Sequence, residues 1–187
     1  MAKLFFTSDT HFNHKNILRH CPSRGKHLRD NDSVEQMNQW IVDMWNRVIS
    51  PEDIVYHLGD VAFGPPKYAP KWVEQLNGHK HLIKGNHDTS NYMREIGHYF
   101  ETIQDYKRLN IDGHKVILFH YPILRWDCQF HGSFHLYGHV HNAPVPELAG
   151  TRSMDVGIDT NGMLGVYDWD FIKEKLEKIP KPLRDHH

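Results

Sequence analysis

"FFTSDTHFNH", residues 5–14, passes from an apolar run straight into Asp9, His11 and His14. A buried strand packs through residues such as Phe5 and Phe6 and needs none of those three polar groups. The same change recurs further on. "IVYHLGD" ends at Asp60, "HLIKGNHD" delivers Asn86, His87 and Asp88, "VILFH" ends at His120, and "FHLYGHVH" delivers His139 and His141. Glycine stands just before three of these exits, at Gly59, Gly85 and Gly138, where the backbone must turn sharply or approach another segment closely. Side chains at strand ends are fixed by the sheet yet free to face a ligand, the usual arrangement in α/β proteins.

The donors are carboxylates, imidazoles and an amide. Such a set suits borderline or hard divalent cations, Mn²⁺ first, with Fe²⁺ or Zn²⁺ as alternatives. There are more donors than one tetrahedral zinc requires. They fit two neighbouring ions with one shared carboxylate, an arrangement that makes a hydroxide held between the metals nucleophilic near neutral pH and serves in-line attack on phosphorus.

Around these exits the chain reads as alternating strands and helices, then mostly strands, which points to a layered α/β fold. Strands are expected over 3–9, 53–60, 80–85, 133–138 and 153–159, and "YKRLNIDGHKVILFH" reads as a hairpin turning at Asp112-Gly113. Ser33 with Gln36 forms a capping-box pattern ahead of Val34, Met37, Ile41, Met44, Trp45 and Val48 at helical spacing. Further helices are expected from Pro70 to Leu76 and over 168–179, whereas 90–98 gives a weak signal and 19–29 reads as a basic loop.

With 187 residues, 39% hydrophobic and 24% charged, the chain is expected to form one domain spanning 1–187. No apolar run approaches the ~20 residues of a membrane span, and the N-terminus does not resemble a secretory signal. A soluble, cytoplasmic protein is expected. The net charge of −1 offers no general attraction for nucleic acid, so that partner is disfavoured. The two cysteines, Cys21 and Cys128, are read as free thiols.

In order, Asp9-Thr10-His11, Gly59-Asp60, Gly85-Asn86-His87-Asp88, His120 and Gly138-His139-Val140-His141 match the DxH, GD, GNH[DE], H and GHxH motifs. In this the chain resembles the calcineurin-like metallophosphoesterases, in the manner of small bacterial and phage members. The resemblance implies a two-sheet sandwich flanked by helices and two divalent metal ions. Asp9, His11, Asp60 and His141 would hold the first ion. Asp60 would bridge to the second, completed by Asn86, His120 and His139. It further implies that His87 stabilises the transition state and protonates the leaving oxygen, with Asp88 a candidate to orient it.

The substrate is expected to be a phosphoester, with a nucleotide diester preferred. A phosphomonoesterase acting on a small phosphorylated metabolite, or a non-catalytic scaffold of the same fold, is the alternative. Val61, Ala62, Phe63 and Gly64 follow Asp60, so the Asp and Arg that the protein phosphatase branch carries after its own GD are missing, which argues against phosphoprotein substrates. The adjacent His87-Asp88 also fits an all-helical HD-type hydrolase, although it follows a strand-like segment. Outside the motifs, His14, Arg24 and Arg125 are candidate substrate contacts, a guanidinium being well matched to phosphate oxygens. A solvated basic loop is the plainer reading around Arg24, and His57, His79, His81, His114 and His135 are expected to be structural or on the surface.

Overall fold

The computed structural model describes residues 2–21, 24, 33–160 and 165–181. Two sheets carry the architecture. In chain order the strands are β1 Leu4–Thr7, β2 Ile54–His57, β3 His79–Ile83, β4 Thr102–Gln104, β5 Tyr106–Ile111, β6 His114–Phe119, β7 Phe134–Tyr137, β8 Ser153–Asp155 and β9 Tyr167–Asp168. One sheet has the order β4-β3-β2-β1-β9 and the other β5-β6-β7-β8. Strands β1 to β4 run parallel, with β9 antiparallel at the edge beside β1. In the second sheet β6, β7 and β8 are parallel, and β5 joins β6 as an antiparallel hairpin whose Ile111 pairs with His114 across Asp112-Gly113.

Alternation along the strands builds a layered core, because successive side chains leave opposite faces. Phe5, Val55 and Leu82 face outward into a cluster with Met37, Ile41, Val42 and Trp45 of the helix Val34–Val48 and with Trp72 and Ile96. Phe6 and Ile83 face inward and meet Val116, Leu118, Phe134 and Leu136 of the second sheet, together with Trp169, Ile172 and Leu176 of the helix Trp169–Glu177. Ile117 and Tyr137 leave the far side of the second sheet to pack on Trp126 and Leu148. Strands buried on both faces explain the unbroken apolar runs read in the sequence. The result is a two-sheet α/β sandwich flanked by helices, which rules out the all-helical HD-type reading.

The long helix opens as its sequence requires. Ser33 Oγ accepts from Gln36 N at 3.2 Å, and the Gln36 side chain reaches back to the Ser33 N–H. Five expectations need correction, the first being the strand expected over 153–159, which ends at Asp155. A helix, Ser90–Ile96, fills much of the segment that gave a weak signal. A further turn of helix occupies Ile17–His20 and overlaps the start of the 19–29 segment read as a loop. The helix from Pro70 stops at Val73 rather than Leu76. The short strands β4 and β9 went unread because they span three and two residues and carry no periodicity of their own. Most of the 19–29 segment lies outside the described residues.

No helix among the described residues is long and apolar enough to cross a membrane.

Candidate metal centre

The parallel strands bring their carboxyl ends to one edge, and pairing continues past them. Asp9 N donates to Gly59 O at 2.9 Å, His11 N to Asp60 O at 3.0 Å and Phe12 N to Val61 O at 3.0 Å, so the loops after β1 and β2 run side by side. Gly138 N donates to His120 O at 2.9 Å and does the same for the exits of β6 and β7. A methyl group on Gly85 would stand 2.2 Å from Asp60 Oδ1 and 2.8 Å from His120 Cε1. One on Gly138 would stand 2.3 Å from Asp9 Oδ2. Both exits need glycine because functional side chains fill the space a Cβ would occupy.

Asp9, His11, Asp60, His139 and His141 all lie at positive φ, between 47° and 71°. Each such non-glycine residue costs on the order of 1 kcal/mol or more, and concentration of this strain in one place is typical of functional sites. These five belong to the seven expected ligands.

The side chains gather into two adjoining groups, Asp9–His11–His141 and Asp60–His120–His139, with the ligand atoms in each within 4.8 Å of one another. Asp60 Oδ2 lies 3.6 Å from His11 Nε2 and 3.5 Å from His120 Nε2, so it faces both groups. Asp9 Oδ1 lies 3.7 Å from His11 Nε2 and 3.8 Å from His141 Nε2. Asn86 Oδ1 stands 3.3 Å from His120 Nε2.

Asp9 Oδ1 and both ring nitrogens of His11 are buried without a hydrogen-bond partner. Orphaned buried polar atoms are costly, and each calls for a reason. Here a carboxylate oxygen and an imidazole nitrogen face each other at a separation too long for a hydrogen bond, with donor chemistry suited to a divalent cation. The residues fit the metals that the motifs imply.

Outer contacts orient these ligands. Asp9 Oδ2 accepts from His139 N at 2.9 Å, leaving Oδ1 to face the site. His120 Nδ1 meets Leu58 O at 2.7 Å, and His141 Nδ1 meets Asp159 Oδ2 at 2.7 Å, so each presents Nε2 inward. Asp60 Oδ1 accepts from His87 N at 2.9 Å.

The electrostatics follow the same pattern. Burial pushes the Asp9 carboxyl up, but the His11 contact and the nearby imidazoles outweigh it and hold the group well below the usual carboxylate range. Burial likewise opposes ionisation of Asp60, and His120 overcomes it. Burial lowers His11. His141 is raised to about 10 because its bond to Asp159 outweighs its burial. A setting that holds a proton this firmly is also one that favours a cation.

His87 is partly exposed, with Nε2 4.0 Å from Asp60 Oδ2 and its ring 5.5 Å from that of His11. Asp88 does not serve it as an orienting partner. The Asp88 carboxylate accepts instead from the backbone N–H groups of Asp60, Val61 and Gly85 at 2.7, 3.0 and 2.9 Å. It fixes the loop that carries Asp60.

The three candidate substrate contacts fare differently. His14 is beside the site, stacked on Phe63 at 4.1 Å and edge-on to His11 at 5.5 Å. Arg125 is exposed, with Nη1 donating to Leu124 O at 3.2 Å and the guanidinium 5.9 Å from the Phe130 ring. Among the described residues it forms no hydrogen bond or ion pair with the ligand groups. Arg24 must be corrected. It is 0% exposed, and its guanidinium is occupied by Asp159, Thr10 O and Asp9 O, so it supports the site from behind rather than meeting a phosphate from solvent.

Three residues escaped the sequence reading. Asp159 backs His141, and the segment "SMDVGID" ending on an acid was the signal available. Tyr121 sits edge-on to His120 and His139 at 4.9 and 4.7 Å, with its hydroxyl 3.4 Å from Asn86 Oδ1. Buried Cys21 groups with His141 and Asp159. Among the expected structural histidines, His57 and His135 are buried.

The fold and this edge define a phosphoesterase-type α/β sandwich. Residues 2–160 match the model of the calcineurin-like phosphoesterase superfamily domain, and the chain belongs to that family. It is 36% identical over 143 residues to the uncharacterized protein MJ1445 of Methanocaldococcus jannaschii, covering 75% of this chain and 70% of that one. It is 28% identical over 194 residues to the Gene 66 protein of Mycobacterium phage L5, covering 88% and 90%. Among solved structures, AQ665 from Aquifex aeolicus, a protein of unknown function, superposes with a TM-score of 0.72 at 25% identity, covering 94% of this chain and all of that one.

Proposed function

We propose that this chain is a dinuclear metal-dependent phosphodiesterase. The observation that carries the reading is the pair of facing groups, Asp9–His11–His141 and Asp60–His120–His139, with Asp9 Oδ1 and His11 Nε2 buried and unpartnered in the first. Asp9, His11 and His141 would hold one cation and Asn86, His120 and His139 the other, with Asp60 shared between them. Bound cations, Mn²⁺ foremost, would supply charge neutralisation for the phosphate and acidify water in the site.

The chain's own groups do the rest. Asp60 is pinned by the His87 N–H and by the Asp88 carboxylate beneath its backbone, so its Oδ2 keeps one position facing both histidine sets. His87 stands at the solvent side of Asp60, where its Nε2–H can reach an ester oxygen leaving phosphorus; an alkoxide departs slowly without a proton. The diester preference rests on the exposure of Asn86 and His139, which leaves room beside the ligand groups for a substituted phosphate.

The test is hydrolysis of bis(4-nitrophenyl) phosphate and 4-nitrophenyl phosphate by chelator-treated protein before and after addition of Mn²⁺. Diester turnover that appears with the metal and disappears with chelator is expected. Faster monoester turnover would move the assignment to a phosphomonoesterase. Failure to hydrolyse either ester with the metal bound would leave the scaffold.

A further inference from the structure

The two ligand groups are alike in composition, each a carboxylate with two imidazoles, but they are supported differently. His120 is oriented by a neutral backbone carbonyl, Leu58 O, at 2.7 Å. His141 is oriented at the same distance by a carboxylate, Asp159 Oδ2. Asp159 is 2% exposed and Arg24 0% exposed. Arg24 Nε and Nη2 grip the two Asp159 oxygens at 2.8 Å each. The remaining reach of the guanidinium goes to Thr10 O at 3.0 Å, from Nη1, and to Asp9 O at 2.7 Å, from Nη2.

A single buried guanidinium therefore holds the backbone of the Asp9-Thr10-His11 segment and, through Asp159, the ring of His141. Those segments supply all three ligands of the first group. A carboxylate behind an imidazole makes its inward nitrogen a stronger donor than a carbonyl does, and loss of such an outer contact typically lowers metal affinity about 10–100-fold. A bidentate Arg–carboxylate pair also fixes Asp159 in one orientation, which a lysine would not.

We propose that Asp159, anchored by Arg24, is the positioning residue of the first cation group and makes it the tighter of the two metal sites. The inference rests on the dinuclear reading above. A buried ion pair serving the fold alone would change stability when altered but would leave the relation between the two sites untouched, so the experiment reads that relation.

Chelator-treated protein is titrated with Mn²⁺, and free cation is followed by its electron paramagnetic resonance signal. Wild type is expected to show two classes of site of unequal affinity. Asp159→Asn is expected to weaken the tight class about tenfold or more and to leave the weak class within about threefold. Because that variant leaves the buried Arg24 without its counter-charge, the neutral pair Arg24→Gln/Asp159→Asn is titrated beside it, with folding checked by circular dichroism. Two equal classes in wild type, or a tight class unchanged in either folded variant, would overturn the proposal while leaving the dinuclear reading standing. Wild type that binds no Mn²⁺ would instead sink the dinuclear reading itself.

Discussion

Among single residues, His87 makes the sharpest demand on the chemistry. Its imidazole borders Asp60 Oδ2 yet belongs to neither ligand group, so its loss should spare the metals. His87→Ala is expected to retain bound Mn²⁺ and to lose turnover of alkyl diesters by about 10²–10⁴-fold, the usual range for a lost general acid. Diesters with a 4-nitrophenolate leaving group should lose far less, since that anion departs without a proton. Equal losses on both substrates would remove His87 from the acid role. Asp88 carries a different prediction. Asp88→Asn replaces one acceptor oxygen by an NH₂ that faces backbone donors, so it should cost about 1–3 kcal/mol in a urea denaturation curve and loosen the loop bearing Asp60. The motif residues were legible because each polar donor follows directly on an apolar run that reads as a strand. Arg24 was misread because its partner, Asp159, lies 135 positions away, and only the fold reveals that its charge is already spent.

At the level of elements, the readable pieces are those with a local signal. The helix Val34–Val48 has its capping box and apolar face, and the β5–β6 hairpin has Asp112-Gly113. The helix Ser90–Ile96 buries only Tyr92 and Ile96, too few apolar contacts to leave a period in the sequence. The strand β4 exists because β3 offers it a parallel edge. Strand ends, by contrast, could be placed from composition because glycine and carboxylate, imidazole or amide side chains occur together there. Gly85→Ala tests why. The added methyl would meet Asp60 Oδ1 and the Asp60 amide at 2.2 and 2.7 Å, atoms of a constrained loop rather than of a free side chain. The variant is expected to lose retained Mn²⁺ and to unfold at lower denaturant, whereas Ser33→Ala, which removes only a helix cap, should cost about 1 kcal/mol and leave the metal content unchanged. Metal analysis of both purified variants separates the two effects.

For the whole molecule, two buried histidines weaken the sandwich in acid. His135 is packed within the second sheet, its Nδ1 against Ile117 O at 3.2 Å and its Nε2 accepting from Ile123 N at 3.0 Å, so both nitrogens are satisfied only when the ring is neutral. Burial lowers its pKa from 6.5 to about 4, despite the opposing pull of Ile117 O. His57, against Thr10 Oγ1 at 3.0 Å, is lowered by burial to about 4 as well. In the unfolded chain each takes up a proton near pH 6.5, but in the folded chain not until near pH 4. The unfolded state therefore binds more protons across that window, and stability falls as pH falls through it. The contribution is fully present above the unfolded value, declines below it, and levels off under the folded one, on the order of 3 kcal/mol per histidine in total. His141, raised in the fold, is protonated in both states well below pH 6.5 and leaves that slope alone, whereas Asp88 and Asp155, raised by burial to about 6, take up protons first in the folded state and oppose the decline over the same window. Urea unfolding of chelator-treated wild type and His135→Gln at a series of pH values isolates one histidine: wild type should lose stability relative to the variant as pH falls from about 6.5 to about 4. Parallel curves for the two proteins would mean that His135 takes up its proton without unfolding, and that the second sheet yields locally around it.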